Sequence, residues 1–256
     1  MQTRNSRVRR VPGGDGADAV VVEEPLEIRV EGVPAAITMR TPGHDLDLAA
    51  GFLCTEGVID GPDDITALAV VAENVVDVRL AEGVPAARAR SADRALYASS
   101  SCGICGKASL DRLRVKSAAM APAWQPDEAM LRALPERLRL AQPAFDATGG
   151  LHAAALFDAA GALHDLREDV GRHNALDKVV GARVRADALD FAGLGLIVSS
   201  RAGFEIVLKA RVVGIPVVAV LGAPTSLAID AAREAGMLLI AWLRAERFVV
   251  VSEPTH

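Results

Sequence analysis

The hydrophobic positions change period along this chain, and the changes mark out its elements. Leu26, Ile28 and Val30 alternate with polar residues, the period of two that a half-buried strand requires. Residues 36–40 predict a second strand, with Glu31-Gly32-Val33-Pro34 as the turn between the two. Over residues 45–55 the period lengthens: Leu46, Leu48, Ala49, Phe52 and Leu53 fall near one helical face, and Gly57 marks a stop. Val75, Val76, Val78 and Leu80 predict a further strand. The stretch from about residue 20 to residue 97 is therefore expected to be rich in strands.

The second half reads more regularly. Residues 127–140 predict a helix, and 151–157 and 162–166 predict two strands joined across Asp158-Ala159-Ala160-Gly161. A helix is expected over 173–183. Strand and helix then alternate: strand 194–198, helix 203–212, strand 217–221, helix 226–235, strand 237–242 and a last strand at 248–251. Such alternation predicts a three-layer α/β domain with a largely parallel sheet. Residues 99–106 fit neither period. They are rich in serine and glycine, and read as a mobile loop, with a helix following from about residue 109.

Composition sharpens this picture. The chain has 256 residues, of which 51% are hydrophobic and 4% aromatic, enough for one large domain or two smaller ones. The apolar residues are mostly Ala, Val and Leu, which suit close packing of helices on sheets. A net charge of -5, from 28 basic and 33 acidic residues, excludes a general polyanion binder, so nucleic acid is not an expected partner. Arg4, Arg7, Arg9 and Arg10 crowd the N-terminus ahead of Pro12, Gly13 and Gly14, and residues 1–19 are expected to be a disordered, solvated basic tail. Val11-Pro12-Gly13-Gly14-Asp15-Gly16 is not the apolar core of a signal peptide, and the longest apolar runs are too short to span a bilayer. The expectation is a soluble cytoplasmic protein without a membrane partner. In that reducing compartment a close cysteine pair is reactive or metal-binding more often than a structural disulfide.

That pair lies in Ser100-Ser101-Cys102-Gly103-Ile104-Cys105-Gly106-Lys107. Two intervening residues let both sulfurs of Cys102 and Cys105 face one small target. The glycines allow close backbone approach, and Lys107 favours the thiolate. Three readings compete. A structural zinc site wants four ligands, and no second cysteine pair supplies them, so no structural metal is expected. A thioredoxin-like site would sit at a strand-to-helix junction, which the serine-rich lead-in does not resemble. A persulfide carrier needs one accessible nucleophilic cysteine on a mobile loop, and this fits. Cys54, on the apolar side of a predicted helix, reads as a small core residue.

Three other stretches concentrate polar groups where strands end. In Arg167-Glu168-Asp169-Val170-Gly171-Arg172-His173-Asn174-Ala175-Leu176-Asp177-Lys178, capping explains part of the polarity, but Arg172, His173 and Asn174 together offer several donors to an anionic ligand. The turns holding Ser200 and Arg201, and Thr225 and Ser226, each join a strand to a helix. At the carboxyl edge of an α/β sheet such turns bind phosphate. The chain has no P-loop and no dinucleotide fingerprint. His152, after Gly149-Gly150, reads equally as a site residue or as a satisfied core histidine.

In order along the chain, Gly51-Phe52-Leu53 with Thr55-Glu56-Gly57, then 101–107, 148–152, 168–178, 199–205 and 223–236, closely resemble the FdhD family of formate dehydrogenase accessory sulfurtransferases. The resemblance runs from about residue 25 to the C-terminus. It implies a cytidine-deaminase-like α/β domain over 109–256, a smaller strand-rich N-terminal portion over 20–98, and a mobile cysteine loop at 99–108. Deamination is not implied: His152 is followed by Ala153-Ala154 without the deaminase glutamate, and the cysteines precede this segment. The implied function is sulfur relay. A cysteine desulfurase loads a persulfide on Cys102, supported by Cys105. The sulfur passes to the molybdenum of bis-molybdopterin guanine dinucleotide, and the cofactor enters formate dehydrogenase. The resemblance also places cofactor contacts at Phe248, Val249, Val250, Val251, Ser252 and Glu253, where this chain lacks the more polar asparagine and tyrosine of the family. Two guanine nucleotides in one cofactor call for two phosphate-binding regions, so a homodimer is expected. The alternative is a non-catalytic chaperone that holds the cofactor and hands it over.

Overall fold

The computed structural model describes residues 2–85, 120 and 122–254. Two sheets and the helices between them make up its core. The first sheet has four strands: β3 (Glu24–Val30), β4 (Val33–Arg40), β5 (Ile65–Ala72) and β6 (Val75–Leu80), in the order β4-β3-β6-β5. The pairs β3–β4 and β5–β6 are antiparallel, and β3 pairs with β6 in parallel. A parallel pair needs a crossover, which α1 (Asp45–Thr55) provides. Leu26, Ile28, Val30, Val76 and Val78 are buried on the face that meets this helix layer. The sequence leaves β5 unpredicted because it is an edge strand, half-buried or exposed throughout, with no apolar alternation to read.

The second sheet has six strands: β7 (His152–Phe157), β8 (Leu163–Asp169), β9 (Gly195–Val198), β10 (Val217–Val220), β11 (Leu238–Ala241) and β12 (Val249–Ser252), in the order β12-β11-β10-β9-β7-β8. Side chains alternate across it. Ala153, Ala155, Phe157, Ile197, Val217, Ala219, Leu238 and Ile240 face α2 (Glu128–Leu140), which contributes Met130, Leu131, Leu134 and Leu138. Ala154, Leu156, Leu196, Val198, Val218, Val220, Leu239 and Ala241 face the other way, toward α1, α4 (Arg172–Arg185), α5 (Phe204–Val212) and α6 (Ser226–Ala235). A short helix, α3 (Pro143–Thr148), leads into β7. Among the described residues no helix is long and apolar enough to cross a membrane.

The helices α1 and α4 cross at two glycines. A Cβ on Gly51 would stand 1.7 Å from the Asp177 carbonyl oxygen, and one on Gly181 would stand 1.7 Å from that of Asp47. The two backbones are therefore in contact, and the four-stranded sheet is drawn against the α/β unit through this crossing.

Two expectations need correction. The six-stranded sheet is mixed, not largely parallel: β9, β10 and β11 are parallel, while β7 and β12 pair antiparallel to their neighbours. The tight Asp158–Gly161 turn makes β7 and β8 a hairpin, and no crossover helix separates β11 from β12. Both connections force antiparallel pairing. The basic N-terminus is also not a disordered tail. It forms an antiparallel hairpin of β1 (Thr3–Arg10) and β2 (Gly14–Val21). Gly13 and Gly14, at φ of 141° and 83°, make its turn. Arg9 faces Asp15, and Arg10 pairs with Asp18 at 2.5 Å, so the arginines are partly answered across the strands. Val21 then packs over Gly150, where a Cβ would lie 3.0 Å from it. Its charge density concealed a strand because no position in either strand is fully buried.

Candidate functional site at the carboxyl edge of the sheet

Because β7 runs against β8 and β9, its first residue sits where β8, β9, β10 and β11 end. His152, Asp169 to Asn174, Ser199 to Gly203, Gly222 to Ser226 and Trp242 therefore share one edge. Hydrogen bonds tie the turns together. Ala153 N donates to Ser199 Oγ at 2.9 Å, Gly222 N to the Ser200 carbonyl at 2.9 Å, Thr225 N to the Ala202 carbonyl at 3.0 Å and Trp242 N to the Gly222 carbonyl at 3.0 Å. The helices α4, α5 and α6 all begin here. Gly171 and Gly203, which precede α4 and α5, carry no capping side chain, so first-turn N–H groups remain for another acceptor. Thr225 caps α6 through Ala228 N.

The polar cluster before and within α4 divides into scaffold and site. Asp169 and Lys178 are fully buried and 2.6 Å apart. Asp169 also accepts from Thr41 N at 3.1 Å, Gly171 N at 2.8 Å and Asn174 Nδ2 at 3.0 Å, while Lys178 Nζ donates to the Thr41 carbonyl at 2.8 Å. Asn174 further donates to the Met39 carbonyl and accepts from Thr38 Oγ1. Its side chain is thus committed to docking β4 against α4, and it belongs to the scaffold rather than to the ligand contacts expected of it.

Arg172 and His173 remain on the site side. The Arg172 guanidinium makes no hydrogen bond or ion pair among the described residues, and neither does that of the exposed Arg201. His173 Nε2 lies 2.7 Å from Glu205 Oε2, an ion pair whenever the imidazole is protonated. This contact holds Glu205 below the usual carboxylate range against the effect of burial, with Arg172 adding to it. Burial pushes the His152 pKa down, and the charges of Arg172 and His173 push it further, with Asp169 opposing. His152 Nδ1 is 3.5 Å from Ser199 Oγ. The edge is electropositive and favours an anionic ligand.

Other expected site residues are placed unevenly. Ser200 is buried and its hydroxyl donates to the Arg201 carbonyl at 3.1 Å; Thr225 and Ser226 are exposed at the start of α6. Of the C-terminal stretch, Phe248 and Val249 lie near the edge, since Val249 pairs with Ala241. Val250, Val251, Ser252 and Glu253 run away from it, toward Leu239. They line, with Arg233, a shallow open depression of about 320 Å³. That depression has no convergent charged groups beyond Arg233 and Glu253, so the candidate site is the carboxyl edge. Cys102 and Cys105 lie outside the described residues. Cys54 is buried and its thiol is pushed up to about 12, by burial and then by Asp177, which makes it inert at neutral pH. Among the described residues no group of three His, Cys, Asp or Glu could hold a metal ion. Sequence reasoning missed Glu205, whose partner is distant in sequence.

Fold and site together define a mixed α/β protein whose sheet ends in an edge of helix N-termini with Arg172 and Arg201 beside them. Within that class the chain belongs to the FdhD/NarQ family, whose model matches residues 21–256. It is 49% identical over 244 residues to the sulfur carrier protein FdhD of Streptomyces avermitilis, covering 89% of this chain and 84% of that one. It is 46% identical over 259 residues to the sulfur carrier protein FdhD of Mycolicibacterium paratuberculosis, covering 95% and 94%. Among solved structures, a candidate formate dehydrogenase accessory protein from Desulfotalea psychrophila superposes with a TM-score of 0.76 at 25% identity, over 98% of this chain and 96% of that one.

Proposed function

We propose that this chain is a cytoplasmic sulfur carrier for a formate dehydrogenase, taking persulfide sulfur from a cysteine desulfurase and passing it to bis-molybdopterin guanine dinucleotide. Family membership supports the carrier role. The single observation that carries the cofactor part is the carboxyl edge, where the guanidinium groups of Arg172 and Arg201 have no partner among the described residues, beside the uncapped starts of α4 and α5. Phosphate oxygens are the acceptors such an edge suits. The strand order, with β7 antiparallel between β8 and β9, also supports kinship with the cytidine deaminases.

In the proposed chemistry the Cys102 thiolate attacks the terminal sulfur of the desulfurase persulfide. A sulfur–sulfur bond forms on Cys102 as the donor's sulfur–sulfur bond breaks, and the donor leaves as its thiolate. Cys105 supports the second transfer, and a homodimer presents two such edges to the two guanine nucleotides of one cofactor. Intact mass after incubation with a desulfurase and cysteine tests the scheme. The wild-type chain gains one cyanide-labile sulfur atom, and Cys102→Ala does not. Loading of Cys102→Ala would remove Cys102 from its role. A chain that is never loaded at either cysteine, yet binds the cofactor, would be the chaperone instead.

A further inference from the structure

Trp242 is 42% exposed and holds a backbone φ of 50°, the left-handed region that a bulky side chain avoids. Non-glycine residues kept in that region persist where the surrounding structure over-determines them, and they cluster at ligand sites. Here the surroundings are the ends of β10 and β11. Trp242 N donates to the Gly222 carbonyl at 3.0 Å, Leu243 N to the Val220 carbonyl at 3.1 Å, and Arg244 Nη1 to the Leu221 carbonyl at 2.6 Å. Gly222 in turn donates to the Ser200 carbonyl at 2.9 Å, and a Cβ on it would stand 2.8 Å from the Cα of Arg201. Two hydrogen bonds and one glycine thus bring the backbone of Trp242 onto the turn that adjoins Arg201, and both residues are exposed there.

An aromatic face and a cation on adjoining turns match the two ends of a nucleotide: a planar base, and a phosphate. We propose that Trp242 is the stacking platform for the base of the bound nucleotide, with Arg201 taking its phosphate. Every base has a π-face, so such a platform grips without reading base identity. This inference rests on the reading of the ligand as a guanine-nucleotide cofactor. It adds to that reading a residue that discriminates a nucleotide from a bare phosphate.

The probe is guanosine diphosphate, with inorganic pyrophosphate as the base-free control, on the full chain. The other tryptophan, Trp124, is half-buried and packs edge-on to Phe157 at 6.0 Å, so it supplies a constant background. Guanosine diphosphate quenches the fluorescence of the wild-type chain. Trp242→Phe keeps the affinity within about threefold but loses the quench, and Trp242→Ala weakens guanosine diphosphate on the order of tenfold. Pyrophosphate affinity is unchanged in both variants, which also reports that they are folded. Arg201→Ala weakens both probes. Trp242→Ala that binds guanosine diphosphate as tightly as wild type overturns the proposal, as does a variant that merely falls from dimer to monomer with that affinity intact. A wild-type chain that binds no guanosine diphosphate sinks the cofactor reading itself, a separate result.

Discussion

Lys178→Met removes one partner of a pair with no solvent contact and leaves a carboxylate behind. Lys178 and Asp169 each have 0% side-chain exposure at a separation of 2.6 Å. Breaking such a pair from one side costs about 3–5 kcal/mol, because the remaining charge is buried without compensation. Asp169 keeps three donors, Thr41 N, Gly171 N and Asn174 Nδ2, so the lower end applies, about 3 kcal/mol. In a chain of this size that lowers Tm by roughly 6–12 °C. Adding Asp169→Asn neutralises the stranded charge, and its one oxygen still accepts from Gly171 N and Asn174 Nδ2; the amide nitrogen loses the acceptor for Thr41 N, a single hydrogen bond that costs less than the buried unpaired charge it removes. The double variant is therefore expected to be more stable than Lys178→Met alone, by about 1–2 kcal/mol. Urea unfolding followed by circular dichroism measures both. The reasoning fails if Lys178→Met costs under about 1 kcal/mol, or if the second substitution lowers stability further. The same pair seats the start of α4, so guanosine diphosphate affinity should fall with Lys178→Met and partly return in the double variant.

Three further outcomes follow from other sites. Gly51→Ala drives a Cβ to 1.7 Å from the Asp177 carbonyl oxygen, and is expected to cost more than about 4 kcal/mol or to prevent soluble expression, while Gly193→Ala, into open space, stays within about 0.5 kcal/mol in the same urea assay. His152 should titrate below the ordinary histidine range by NMR, and Arg172→Gln should raise its midpoint by removing a neighbouring positive charge. Because the fold favours neutral His152, its contribution to stability is present above the ordinary histidine pKa and is lost as pH falls through the depressed folded value. Cys54 should resist iodoacetamide at pH about 8 in a chain whose Cys102 and Cys105 are serine, and should react once urea unfolds it; rapid native alkylation would contradict its raised pKa and burial.

Local period made much of the second half legible. The helix Ser226–Ala235 was readable to its ends, because Thr225 caps it and Gly236 stops it. The helix Asp45–Thr55 was equally readable from its apolar face. The turns at Arg201 and Thr225 could be picked out as strand-to-helix junctions, since small and hydroxylated residues at such junctions carry their meaning locally. Strand β5 and the N-terminal hairpin were not legible, because an edge strand or a solvent-facing ribbon has no buried face to impose alternation.

The sequence alone determined the family, the existence of most elements and the cysteine pair, since each is written in neighbouring residues. Tertiary structure decided what the polar residues do. Asn174 and Arg172 look alike as donors in the same motif, yet one is spent on Thr38, Met39 and Asp169, while the guanidinium of the other has no partner among the described residues. Glu205 meets His173 only because α4 and α5 start at the same sheet edge. Trp242 became a candidate only once β11 was placed beside β10. Hydrogen bonds and charges act across space, and a chain folded through two sheets brings together partners that no local window contains.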